Sequence, residues 1–189
     1  MKTKSALRLL FIGNSHTYYN DLPFLVRRLA ENDGFGCEVA MLAHPDWYLA
    51  QHVEEPEVRF NILFGRYDYV VLQEHGHPFA AEEDYRTAAR ALNALIREAG
   101  SIPVIYGGWA KKSEPERQAY MNTVNRRIAA EIGALPAPVG EEWQAYRESH
   151  PELELYAEDG GHASPEGSAF AAGIIWKTVR ADLEERQHA

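Results

Sequence analysis

The sequence predicts an α/β fold with a parallel sheet of about five strands, arranged as three α/β/α layers. Two observations carry this. Short, nearly continuous apolar runs such as Leu7–Ile12 and Tyr69–Leu72 suit strands buried on both faces. Between them lie segments with helical apolar spacing, so strand and helix signals alternate along the chain.

Leu7–Ile12 is the first strand, interrupted only by Arg8. Asn20 or Asp21 can cap a helix that has Pro23 in its first turn and runs to about Asn32. Leu22, Leu25, Val26 and Leu29 recur at helical spacing on it, and Gly34 and Gly36 end it. Cys37–Leu42 reads as strand two, Tyr48–Val53 as a short helix at best, and Tyr67–Gln73 as strand three. Glu82–Ala99 is an amphipathic helix with Ala88, Ala91, Leu92 and Leu95 on one face. Ile102–Tyr106 is strand four. Ser113-Glu114-Pro115-Glu116 opens the next helix, which runs to Ile132, with acids in its first turn. Leu135–Val139 is a weak fifth strand because it contains Pro136 and Pro138. A short helix over Glu141–Glu148 follows, and Ser164-Pro165 starts a last helix to about Glu185. No repeat, linker or low-complexity tract divides residues 1–189, so one domain is expected.

The bulk properties narrow the partners. The chain of 189 residues is 46% hydrophobic and 25% charged, the composition of a folded globular domain. Its net charge is −9 and it has no basic run, which argues against nucleic acid and anionic membrane as partners. Its one cysteine, Cys37, excludes an internal disulfide and fits a reducing compartment. Lys2 and Lys4 ahead of an apolar stretch imitate an export signal, but the stretch is short and broken by Arg8. No run approaches the ~18 apolar residues of a spanning helix. A cytoplasmic location is the expectation. The oligomeric state is not legible.

The chemistry concentrates at the two ends of the chain. Gly13-Asn14-Ser15 places a serine where the first strand stops and a helix signal begins. Open α/β folds keep their reactive groups at that carboxyl edge. The turn can aim backbone N–H groups beside the hydroxyl. A helix cap or a phosphate site is the competing reading of Ser15. A serine nucleophile needs a base and the base needs an orienter. Asp159-Gly160-Gly161-His162 offers a carboxylate and an imidazole within one glycine-rich turn, ahead of the Ser164-Pro165 helix start. An exposed polar loop is the competing reading of that pair.

Taken together, Gly13-Asn14-Ser15 and Asp159-Gly160-Gly161-His162 resemble the first and last motif blocks of the SGNH/GDSL hydrolases, with Asn14 in place of the usual aspartate. The resemblance spans nearly the whole chain. It implies a flavodoxin-like fold and a serine esterase with Ser15 as nucleophile, His162 as base and Asp159 as orienter. It implies a small-molecule ester as substrate, small or carbohydrate-linked acyl groups (acetyl among them), and no cofactor. The oxyanion donors it implies are Ser15 N–H, a backbone N–H from Ala43 or His44 where the family has a glycine, and Gln73 where the family has an asparagine, with a polar residue satisfying a strand end as the equal alternative for Gln73. Trp47, His75 and Trp109 fall near strand ends and are expected to line the substrate pocket; Tyr106, Tyr18 and Tyr19 fall there too, with core packing as the equal alternative for the aromatic rings. Two other functions remain open: a catalytically inactive binding module of the same fold, and a metal-dependent hydrolase using His44, His75 and His77 with Asp46 and Glu74 beside them. The last lacks any tight ligand spacing, so no metal site is assigned.

Overall fold

A computed structural model describes residues 6–188. Lys2 and Lys4 lie outside them. In chain order the elements are β1 (Leu7–Gly13), α1 (Ser15–Tyr18), α2 (Leu22–Asn32), β2 (Cys37–Ala43), α3 (Leu49–Glu54), α4 (Pro56–Phe64), β3 (Tyr69–Gln73), α5 (Glu82–Glu98), β4 (Ile102–Tyr106), α6 (Gln118–Ile132), β5 (Leu135–Ala137), α7 (Val139–Ser149) and α8 (Pro165–His188). Short 3₁₀ turns at Tyr19–Asp21 and Pro115–Arg117 lead into α2 and α6.

All strand pairs in the sheet are parallel, and the order is β2-β1-β3-β4-β5. This is the doubly wound order in which the chain turns back at β1, so a ligand site is expected beyond the carboxyl ends of β1 and β3. Alternate residues of each strand feed two cores. Leu9, Phe11, Tyr69, Val71, Val104 and Tyr106 pack with Leu22 and Val26 of α2, Trp143 of α7 and Ile175 of α8. Leu10, Ile12, Val70, Leu72 and Ile105 pack with Leu49, Ile62, Leu92 and Ile128 of α3 to α6. Period-two side-chain alternation thus produces the three layers.

Several expectations shift. Strand three begins at Tyr69, because Tyr67 and Asp68 form the turn into it: Asp68 N–H donates to the Arg8 carbonyl at 2.8 Å. Asp21 holds the position before α2 but at φ 54°, and its side chain caps nothing. Asn20, at φ 53°, sends its amide across to Ala163 and Ser168 instead. α4 is an additional helix beyond the short segment expected, opened by Pro56. Its inward face carries only Val58 and Ile62, too little for a periodic signal. The helix expected from Glu114 becomes a 3₁₀ turn before α6, with no cap from Ser113. On α5 the fully buried face runs through Ala88, Ala89, Leu92 and Ile96, while Leu95 is only partly covered. The last helix starts as its sequence indicates, with Ser164 Oγ accepting from Gly167 N–H at 3.0 Å.

Candidate active site

β1 ends at Gly13 because nothing larger fits there. A Cβ on Gly13 would lie 2.4 Å from Thr17 Oγ1 and 2.5 Å from Gln73 Oε1. That closeness lets the chain fold straight into α1. Asn14 caps it: Asn14 Oδ1 accepts from His16 N–H at 3.1 Å, and the Asn14 carbonyl accepts from Thr17 N–H at 2.9 Å. Asn14 Nδ2 donates to the Trp47 carbonyl at 2.9 Å, tying the turn to the loop after β2. Ser15 is left at the first helical position with 9% of its surface exposed. Its N–H has no acceptor among the described residues.

The loop before α8 meets it. His162 Nε2 lies 2.8 Å from Ser15 Oγ, across 147 residues of sequence. His162 Nδ1 lies 2.5 Å from Asp159 Oδ2. Asp159 Oδ1 accepts from Gly161 N–H and His162 N–H, each at 2.9 Å, so the loop is wound around its own carboxylate. The His162 bond and these N–H groups hold the Asp159 carboxyl well below the usual carboxylate range, against a smaller opposing effect of burial. An ionised Asp159 accepts from Nδ1–H and leaves Nε2 bare toward the serine hydroxyl, the tautomer a general base requires.

The imidazole is held from several sides by residues with no motif signature. Tyr19 stacks on it with ring centroids 4.1 Å apart and planes 10° from parallel. His16 lies 5.2 Å away on a tilted stack. Burial, then the neighbouring His77, His162 and His75, push the His16 pKa well down, so this ring is neutral. Asn20 Nδ2 donates to the Ala163 carbonyl at 3.1 Å and Ser168 Oγ at 2.9 Å, pinning the residue that follows His162. An asparagine in left-handed backbone is a signal for such a clamp, because asparagine tolerates that region better than most residues.

Ala43 and His44 do not serve as expected, and Gln73 takes the second of its two readings, a polar residue satisfying a strand end. Gln73 Oε1 accepts from Asn14 N–H at 2.9 Å and from Thr17 Oγ1 at 2.8 Å, while Nε2 donates to the Glu74 carbonyl at 2.5 Å. The oxygen end is fully engaged and one of the two Nε2 protons is used, so Gln73 is a strut beneath the Ser15 turn. His44 N–H donates to the Gly13 carbonyl at 3.1 Å. N–H groups alternate in direction along a strand, so Ala43 N–H faces away from β1 toward the open edge of the sheet.

Trp109 is also reassigned. It is fully buried, stacks on Trp143 at 4.0 Å, and donates Nε1–H to the Gly161 carbonyl at 2.8 Å. It supports the Asp159–His162 loop from the core and does not line a substrate pocket. His75 is 8% exposed, stacks on Tyr48 at 4.5 Å, and directs Nδ1 to the Pro78 carbonyl at 2.9 Å. Trp47 is half-buried against His44 and His52 and stays beside the Ser15 turn through its carbonyl. Tyr106 is buried and reaches the His16 carbonyl at 3.3 Å.

Among the described residues no group of three or more His, Cys, Asp or Glu side chains is arranged to hold a metal ion. The His44/His75/His77 set therefore does not assemble: His44 lies against Trp47, His75 against Tyr48, and His77 against His16. Among the described residues no helix is long and apolar enough to cross a membrane.

No protein-family model matches the chain, and no curated protein matches it. Solved structures do. A candidate SGNH hydrolase from Slackia heliotrinireducens is 29% identical, with a TM-score of 0.81 over 93% of this chain and 100% of that one. The acetyl xylan esterase AlAXEase superposes with a TM-score of 0.73 at 14% identity, over 92% of this chain and 100% of that one. A catalytic mutant of Axe2, an acetylxylan esterase from Geobacillus stearothermophilus, does so with a TM-score of 0.69 at 16% identity, over 95% and 96%.

Proposed function

We propose that this chain, which has the SGNH/GDSL hydrolase fold, is a serine esterase that cleaves a small or carbohydrate-linked acyl ester through an acyl-enzyme on Ser15. One observation carries the reading: the unbroken hydrogen-bond chain from Ser15 Oγ to His162 Nε2 at 2.8 Å, and from His162 Nδ1 to Asp159 Oδ2 at 2.5 Å. The similarity to acetyl xylan esterases suggests acetyl as the acyl group. A cytoplasmic location belongs to the same proposal.

In this mechanism His162 Nε2 takes the Ser15 proton as Oγ bonds to the ester carbonyl carbon. The carbonyl π electrons move onto oxygen, and the oxyanion accepts from the free Ser15 N–H. Asp159 stabilises the imidazolium without taking its proton. Collapse breaks the bond to the leaving alcohol, whose oxygen receives the proton from His162. Water, deprotonated by the same nitrogen, then releases the acid and restores Ser15.

The second reading is an inactive binding module of this fold. It is favoured by one finding: the His44 N–H is spent on the Gly13 carbonyl and the Ala43 N–H faces the open edge of the sheet, so neither backbone position offers Ser15 a second oxyanion donor. Hydrolysis of p-nitrophenyl acetate by wild type, Ser15→Ala and His162→Ala separates the two. The esterase predicts turnover that each substitution lowers by at least about a thousandfold. Turnover that survives Ser15→Ala refutes the acyl-enzyme, and absence of turnover in the wild type on acetyl esters of phenols and sugars supports the module.

A further inference from the structure

A cleft of about 710 Å³ lies between α3, α5 and the loop after β3, and none of Ser15, Asp159 and His162 lines it. Its volume suits a small molecule. Ala50, Val53, Phe79, Ala80, Ala88 and Ala91 supply apolar walls, with the Tyr48 and Tyr85 rings beside them. Three carboxyl groups, Glu54, Glu74 and Asp84, also line it, and no lysine, arginine or histidine does. Among the described residues neither Glu54 nor Asp84 is in an ion pair.

Glu74 is the informative member. It is 4% exposed, and its Oε1 accepts from His75 N–H at 2.6 Å and Leu49 N–H at 3.3 Å. Its Oε2 has no partner among the described residues, and Glu74 is one of the residues that line the cleft. This nearly buried carboxyl group has one oxygen held by backbone N–H groups and no cationic side chain beside it in the cleft. Burial pushes its pKa up to about 7, and the charge of Asp84 adds to that.

We infer that this cleft binds a small organic cation: a quaternary ammonium group on a hydrophobic body, with the body on the alanine and phenylalanine walls and the charge between Glu74, Asp84 and Glu54. A neutral acyl chain would fill the same walls but would gain nothing from the three carboxyl groups that line them. A bare metal ion would not use the apolar walls, and no metal-ligating group is arranged here. Aromatic rings around a cation add attraction that a neutral ligand does not gain. The cleft also communicates with the nucleophile turn. The Glu74 carbonyl accepts from Gln73 Nε2, and Gln73 Oε1 holds Asn14 N–H and Thr17 Oγ1. The inference stands independently of the esterase reading, because it is tested by binding.

The test is a ¹H–¹⁵N amide titration with benzyltrimethylammonium and, separately, with benzyl alcohol as the neutral probe. The expected result is saturable shifts at Leu49, His75, Ala80 and Tyr85, with the ammonium compound bound at least about tenfold more tightly than the alcohol. Glu74→Gln keeps a side-chain oxygen for the two backbone N–H groups and should bring the ammonium affinity down to that of the alcohol. Asp84→Asn, at an exposed position, should weaken it about threefold without touching the core. Equal affinity for both probes, shifts located elsewhere, unchanged affinity in both variants, or no saturation at millimolar probe each overturns the inference.

Discussion

Replacing Gln73 by leucine discriminates between a strut and an oxyanion donor. Gln73 is 2% exposed, and its three partners, Asn14 N–H, Thr17 Oγ1 and the Glu74 carbonyl, belong to residues 1%, 1% and 4% exposed. Leucine of similar volume removes all three bonds and leaves those groups without partners. A buried orphan costs roughly 1–3 kcal/mol. Thr17 can rotate its hydroxyl and the leucine gains apolar contact, so the expected net loss is about 3–5 kcal/mol. For a chain of this size about 2–4 °C is lost per kcal/mol, which puts the fall in melting temperature near roughly 10 °C. Thermal unfolding followed by circular dichroism measures it. Turnover of p-nitrophenyl acetate well below the transition gives the second readout, and loss of the turn predicts a fall in kcat alongside the lost stability. A variant of unchanged melting temperature whose kcat falls by about 10²–10³ would show that Gln73 acts on the oxyanion, and the strut assignment would be wrong.

Three further perturbations test other parts of the site. Tyr19→Ala removes the stack on His162 and should lower kcat/KM about two- to tenfold, with Tyr19→Phe restoring most of it; equal rates in all three proteins would deny the ring a role. Gly13→Ala forces a Cβ to within 2.4 Å of Thr17 Oγ1, so it should destabilise the fold by at least about 2 kcal/mol in denaturant titration; a neutral effect would mean that the turn has more room than its geometry allows. Glu74 carries the pH prediction. Its pKa is about 7 when folded against an ordinary 4.5, so between those values the folded chain holds a proton that the unfolded chain has released, and stability falls as pH rises. Glu74→Gln should remove that fall, gaining up to about 3 kcal/mol at pH 8 relative to pH 5 in paired urea titrations; parallel pH profiles for variant and wild type would refute it.

Much of the fold and the central trio was legible in the sequence because those signals are local. A strand that stops at Gly13-Asn14-Ser15 and a loop that wraps Asp159 around its own N–H groups are written within five residues each. The parallel sheet follows from alternating buried strands and helices, while its order β2-β1-β3-β4-β5 is fixed by how the crossovers pack. What stayed hidden depends on where a side chain points after packing. Gln73 could equally donate to a substrate or satisfy a strand end, and only packing decides: its Oε1 turns under Asn14, where two buried donors need an acceptor. Trp109 lies at a strand end, where aromatic rings often meet ligands, but the flat face of Trp143 draws it into the core. Tyr19 and Asn20 lie in a short turn without periodicity, and the groups they hold, His162, Ala163 and Ser168, are more than 140 residues away.

That separation has a kinetic consequence. Ser15 and His162 are 147 positions apart, and Asn20 secures the junction through Ala163 and Ser168. Such distant contacts carry a loop-closure cost and tend to form late in folding. During synthesis Ser15 emerges long before Asp159 and His162, and the Ser168 that Asn20 clamps lies later still, in α8, so a chain that ends before residue 159 has no partner for the Ser15 hydroxyl. In refolding, the return of the far-ultraviolet signal should run ahead of the return of hydrolysis. In the proposed mechanism the Ser15 hydroxyl thus gains its base only once the far end of the domain has been made and packed.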